Sequence, residues 1–150
     1  MQTCPHLLYI VHTFHNLTQI EVFFHGYKGK IWRGKWRWML EVLQQRPKLE
    51  HLAIHQEIEN NLMENVGIYE TNWEDPQIVP HCLSSQLKTC LFRDFRGRKN
   101  EIQFAKYVMQ NSKAFCTMTI HSVCSIDLNG KYQMLQKLAM CGRACKLIFD

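Results

Sequence analysis

Residues 26 to 38, GYKGKIWRGKWRW, hold five positive charges and three tryptophans with no acid. Positive side chains interleaved with flat rings are the chemistry of a single-strand nucleic-acid groove, with charge for phosphates and rings for bases. A second basic run, Arg93 to Lys99, could extend it. Nucleic-acid binding through rim loops 26–38 and 93–99 is therefore the alternative function to weigh. Nucleophilic chemistry would need a Cys or Ser beside a His and a carboxylate. His81 and Cys82 are adjacent, but neighbours on an extended segment point apart. Zinc would need four ligands in paired spacing, and neither Cys141 with Cys145 nor His12 with His15 has a second pair to match. No catalytic, cofactor-binding or metal residue is assigned, and the chain reads as a non-enzyme.

Those residues must be held by elements, and the elements are legible. The 150 residues suit one domain; 46% are hydrophobic, enough for a core, and 21% are charged. Net charge is +5, a mild excess. It is unevenly spread: residues 56–80 hold six acids and no Lys or Arg, leaving eighteen basic against seven acidic residues elsewhere. No apolar run approaches the roughly 20 residues of a membrane span. The start lacks the basic lead-in and cleavage site of a signal peptide. Seven cysteines without a tight framework suggest reduced thiols, in cytoplasm or nucleus.

One pattern recurs four times: an apolar residue, two others, an apolar, one other, an apolar. It reads Leu17-Ile20-Val22, Leu49-Leu52-Ile54, Leu87-Cys90-Phe92 and Phe115-Met118-Ile120, and a clipped fifth strand, CKLIFD, closes the chain. The last two positions alternate as on a strand with one buried face. Between them lie helical stripes: Trp36, Met39, Leu40 and Leu43 with Val42 at the edge; Ile102, Ala105, Val108 and Met109; Met134, Leu135, Leu138 and Ala139. Strand then helix, repeated, predicts an α/β fold: a right-handed βα solenoid, leucine-rich-repeat-like, with parallel strands on the concave face and helices on the convex face. Cys82 and Cys90 fall at core positions and read as buried thiols.

If the strands lie side by side in chain order, their outward residues stack in columns. One column is Gln19, His51, Thr89 and Thr117; the next is Glu21, Ala53, Leu91 and Thr119; the third is Phe23, His55, Arg93 and His121. Repeat proteins generally bind through such a sheet. The expected partner contacts are therefore Phe23, His51, His55, Thr89, Arg93, Thr117, Thr119 and His121. Trp38, about 160° around its helix from Trp36 at roughly 100° per residue, joins them. The third column reads as a cationic strip suited to an acidic or phosphorylated target. The basic and acidic loops emerge on one rim and neutralise each other, which makes nucleic acid an unlikely partner. An edge strand near Leu7–Val11 would invite self-association.

From Trp73 through Pro76, Val79-Pro80, Cys82-Leu83 and Leu87 to the basic RGRK run and its helix, the sequence resembles the FBD domain of plant F-box/FBD/leucine-rich-repeat proteins. LQKLAMCGRACKLIFD is similar to that domain's end, with Gly142-Arg143-Ala144 where the family usually has Pro before Arg. FHNLTQIEVFF and WRWMLEVLQQRPKLEHLAIH resemble the last repeats before it. The resemblance implies leucine-rich repeats and an acidic connector over 1–72, then an FBD domain over 73–150 that continues and caps the solenoid. It implies a protein-interaction module, the substrate-recognition end of an F-box-type ubiquitin ligase receptor, with an unknown target protein and no cofactor. A cullin-ligase adaptor would be reached only through an F-box, and none is expected within these residues.

Overall fold

The computed structural model describes residues 17–26, 35–58, 74–113, 117–139 and 146–150. The expected strand at Leu7–Val11, Trp32, Trp73, most of the acidic segment, Phe115, the His12–His15 and Cys141–Cys145 pairs and the Gly142–Ala144 turn lie outside the described residues.

Five strands, β1 (Gln19–Gly26), β2 (His51–Ile58), β3 (Thr89–Phe95), β4 (Thr117–Ser122) and β5 (Lys146–Phe149), form one sheet in chain order. All four pairings are parallel. Helices α1 (Lys35–Gln44), α2 (His81–Ser85), α3 (Lys99–Asn111) and α4 (Leu128–Ala139) fall between strands. The recurring apolar motif sets the register: Ile20, Leu52, Cys90, Met118 and Leu147 align across the strands, as do Val22, Ile54, Phe92, Ile120 and Phe149. The first four residues of each row are buried. Each fully buried side chain of this size contributes roughly 1.5–3 kcal/mol relative to exposure.

The unit starts repeat in their hydrogen bonds as well. Thr18 O accepts from Glu50 N and His51 N at 2.8 and 2.9 Å, and Glu50 O from Lys88 N and Thr89 N at 2.7 and 3.1 Å; Lys88 O accepts from Thr117 N at 2.8 Å. Leu49 and Leu87, the leading residues of two motifs, are fully buried just before their strands.

The helical stripes meet the inner rows. Trp36 stacks on Phe104 with centroids 4.9 Å apart and tilts against Phe92 at 5.5 Å, joining α1, β3 and α3. Met39, Leu40 and Leu43 are buried beside it, and α3 buries Ile102, Ala105, Val108 and Met109 as expected. Pro47, unable to donate a backbone N–H, follows the end of α1. One core cluster runs through residues on both sides of position 72. The α4 stripe is narrower than expected. Met134 and Leu138 are buried, but Leu135 is 37% exposed and Ala139 faces solvent. The reason is position: α4 packs on α3 at one flank, and no described helix covers the other.

Candidate functional site

The outward rows of the sheet form the candidate site. Thr89 sits opposite both His51 and Thr117, and Leu91 opposite both Ala53 and Thr119, so the first two expected columns are in register from β1 to β4. They continue on β5 as Lys146 and Ile148. His51 Nδ1 and Thr89 Oγ1 share a hydrogen bond of 2.7 Å along the first column.

The third column starts as expected and then departs. Phe23 pairs with His55, and their rings stack nearly parallel, centroids 4.4 Å apart at 9°. Beyond Phe92 the register between β3 and β4 shifts: Phe92 pairs with Ile120, but the next pair is Phe95 with Ser122. Two residues of β3, Arg93 and Asp94, therefore span the single His121 of β4, which is a β-bulge. Asp94 adopts φ 54°, and it is the only non-glycine with positive φ among the described residues. Both Arg93 and Asp94 face out, and Phe95 returns to the core.

The column is not the cationic strip that the sequence suggests. His55 Nε2 lies 2.6 Å from Glu21 Oε1, and His121 Nδ1 lies 3.2 Å from Asp150 Oδ2. With Asp94 added by the bulge, carboxylates balance or exceed the positive groups. These residues enclose an open depression of about 670 Å³ at the carboxyl ends of the strands, lined by Glu21, Phe23 and His55 on one side and by Arg93, Asp94, His121 and Ser122 on the other.

Trp38 stands apart from this face. It is half-buried on α1 and meets the inward-facing Phe24 edge-on, centroids 6.0 Å apart, so it packs on the core side of the sheet. The basic stretch also loses Lys35, which is buried. Its Nζ donates to Gln56 Oε1, and Gln56 Nε2 donates to Glu101 Oε2 at 2.6 Å. Glu101 also accepts from the backbone N–H groups of Arg98 and Arg96 at 3.0 and 3.3 Å. Lys35 Nζ lies 4.9 and 4.7 Å from the Phe24 and Trp36 ring centroids. This relay ties α1, β2 and α3 together with a charge that would otherwise be free for phosphate.

Sequence reasoning missed Asp94, the carboxylates Glu21 and Asp150 as histidine partners, and the relay. Two signals were present. Phe92 and Phe95 are spaced by three where a strand face requires two, and Gln56 follows Leu52 and Ile54 in an inward row.

The thiols at core positions behave as expected. Cys82 and Cys90 are buried; Cys82 Sγ donates to Leu43 O at 3.4 Å, and burial pushes its thiol up to about 11. Cys124 is exposed. No group of three or more His, Cys, Asp or Glu suited to a metal occurs among the described residues. No helix among them is long and apolar enough to cross a membrane.

Residues 74–120 match the FBD family. An F-box/FBD/LRR-repeat protein of Arabidopsis thaliana is 35% identical over 124 residues, covering 79% of this chain and 28% of that protein. A second F-box/FBD/LRR-repeat protein of the same plant is 30% identical over 144 residues, 93% of this chain and 31% of that protein. An FBD-associated F-box protein, also from Arabidopsis thaliana, is 41% identical over 76 residues, 51% of this chain and 18% of that protein. No solved structure matches. The resemblance first carried by Pro76, Cys82-Leu83 and the RGRK run therefore holds: the chain carries an FBD domain and is similar over most of its length to F-box/FBD/LRR-repeat proteins. It spans less than a third of the length of these curated relatives.

Proposed function

We propose that the chain is a non-enzymatic protein-interaction module that reads a target protein with the outward face of its sheet, as the substrate-recognition end of an F-box-type ubiquitin ligase receptor would. The observation that carries this reading is the outward face itself. Side chains of up to five parallel strands stand in aligned columns that are exposed or half-buried, while the buried stripes of α1 and α3 meet the opposite, inward rows. Rows of mixed aromatic, hydroxyl, imidazole and charged groups offer many hydrogen-bonding and packing contacts spread over several strands, which suits a protein surface better than a small substrate.

We read the sheet as the strand side of a right-handed, leucine-rich-repeat-like solenoid, its strand face concave. Residues 1–72 would supply repeats and connector, and 73–150 the FBD segment that caps them. The recurring hydrogen bonds at Thr18, Glu50 and Lys88 support that reading. Coupling to a cullin-ligase adaptor is no part of the proposal. The matched stretch resembles the FBD and repeat portions of the relatives, and their F-box is named for the longer proteins alone. Burial of Lys35 weighs against the nucleic-acid alternative.

The test is comparative capture from plant extract in nuclease at two salt concentrations. Bait chains are the wild type, His51→Ala with Thr119→Arg on the outward face, and Lys106→Ala on α3. The proposal expects proteins retained by the wild type and by the α3 variant to be lost from the outward-face variant. Equal retention by all three baits would overturn it. Binding of all three baits that appears only when nuclease is left out, and collapses at the higher salt, would favour the nucleic-acid reading, since phosphate binding is strongly salt-dependent.

A further inference from the structure

We propose that the depression at the third column receives a dipolar element of the partner protein, a carboxylate and a cationic side chain carried side by side, with Arg93 holding the carboxylate and Asp94 the cation. The inference rests on the reading of this face as protein-binding and names what it would bind.

The bulge is the reason both signs are available. An unbroken strand would turn Arg93 outward and Asp94 inward; the extra residue between Phe92 and Phe95 turns both outward. Among the described residues, neither the Arg93 nor the Asp94 side chain makes a hydrogen bond or ion pair, with each other or with a neighbour. The other polar side chains of the depression each have a partner: His55 Nε2 with Glu21, His121 Nδ1 with Asp150, and Ser122 Oγ donating to the Asp150 carbonyl. Arg93 and Asp94 are thus the charged side chains of the depression with no partner among the described residues, beside a half-exposed Glu21 carboxylate that engages His55 through one oxygen. Between β1 and β2, the Phe23–His55 stack gives the depression a flat wall against which an aliphatic stem can lie. Bulges recur beside functional sites because they re-aim side chains in this way.

Charge decides the class of ligand. A lone anion reaching Arg93 would meet Asp94 beside it and Glu21 across the depression. A lone cation reaching Asp94 would meet Arg93 beside it, with Glu21 across the depression in its favour. In either case the adjacent like charge works against the attraction, as like-charge juxtaposition does at interfaces. A ligand carrying both signs meets a complement for each, and the planar guanidinium can take its carboxylate through two hydrogen bonds.

The test uses the isotope-labelled full chain and four capped tetrapeptides whose central pair is Lys-Glu, Glu-Glu, Lys-Lys or Gln-Gln, with amide shifts followed by NMR. The Lys-Glu peptide is expected to shift Phe23, His55, Arg93 and His121 with about tenfold higher affinity than the others. Arg93→Gln should move the preference to Lys-Lys, and Asp94→Asn, which tolerates the same backbone, should move it to Glu-Glu. If Glu-Glu binds the wild type as well as Lys-Glu and Asp94→Asn changes nothing, the depression is a plain anion site and the proposal fails. Shifts confined to His51, Thr89 and Thr117 would overturn this pocket while leaving the face as a binding surface. Absence of shifts on any outward residue would count against both readings.

Discussion

Phe23 and His55, on adjacent parallel strands, lie face to face with centroids 4.4 Å apart. The contact follows from rows beneath it: Ile20 with Leu52 and Val22 with Ile54 fix the register, so the next outward pair must coincide. A double-mutant cycle with Phe23→Ala and His55→Ala should return a coupling of about 0.5–1.5 kcal/mol in urea unfolding, the range for aromatic pairs beyond their area. Additive single effects would mean that the rings do not stack in solution.

The Lys35–Gln56–Glu101 relay predicts a core penalty with no change on the outward face. Gln56→Leu removes the neutral link between two buried charges. It should lower stability by roughly 1.5–3 kcal/mol, the cost range of hydrogen bonds to charged groups. Chemical denaturation reads the loss, and the amide shifts of Thr89 and Thr117 should hardly move.

Gly97 has φ 75°, and a Cβ there would fall 2.6 Å from Met134 Cε and 2.9 Å from Met134 Sδ. Gly97→Ala should therefore cost about 1–3 kcal/mol through backbone strain, with a steric part added. Repeating it in a Met134→Ala background removes the clash and leaves the strain. A smaller cost in that background, measured by thermal unfolding, separates the two.

Cys124 should react with a small alkylating agent in the native chain, while Cys82 and Cys90 should react only through unfolding. The Cys82 thiol is raised by burial from 9.0 to about 11, so the folded state holds its proton where the unfolded state releases it. The stability this contributes is full below pH 9 and is lost as pH rises toward 11. A Cys82→Ala variant should flatten that part of the stability profile, and an unchanged slope would contradict the assignment.

The sheet was legible because its inward rows alternate over short spans: Leu52-Ile54 and Met118-Ile120 each specify a face and, through their neighbours, a register. The stripe of α1 was legible for the same reason. Local periodicity does not reveal which charges meet across strands. Glu21 and His55 are separated by 34 positions, and His121 and Asp150 by 29, so the cationic appearance of the third column vanished only when partners were placed. Trp38 was assigned to the binding surface from its angle around α1. Its half-buried packing on Phe24 shows that a helix on one sheet face can bury more than a single stripe. Asp94 was missed because strict alternation carried past Phe92 points it inward, and only the three-residue spacing to the buried Phe95 marks the extra residue that turns it out.

On the proposed reading the outward face, and not the helix side, touches a target protein. A benzophenone side chain placed at Thr119, in the second column of β4, and separately at Gln103 on α3 tests it directly by photo-crosslinking in plant extract. Protein adducts resistant to nuclease are expected from position 119, and few from position 103. Equal adducts from both positions, or adducts only from 103, would contradict it.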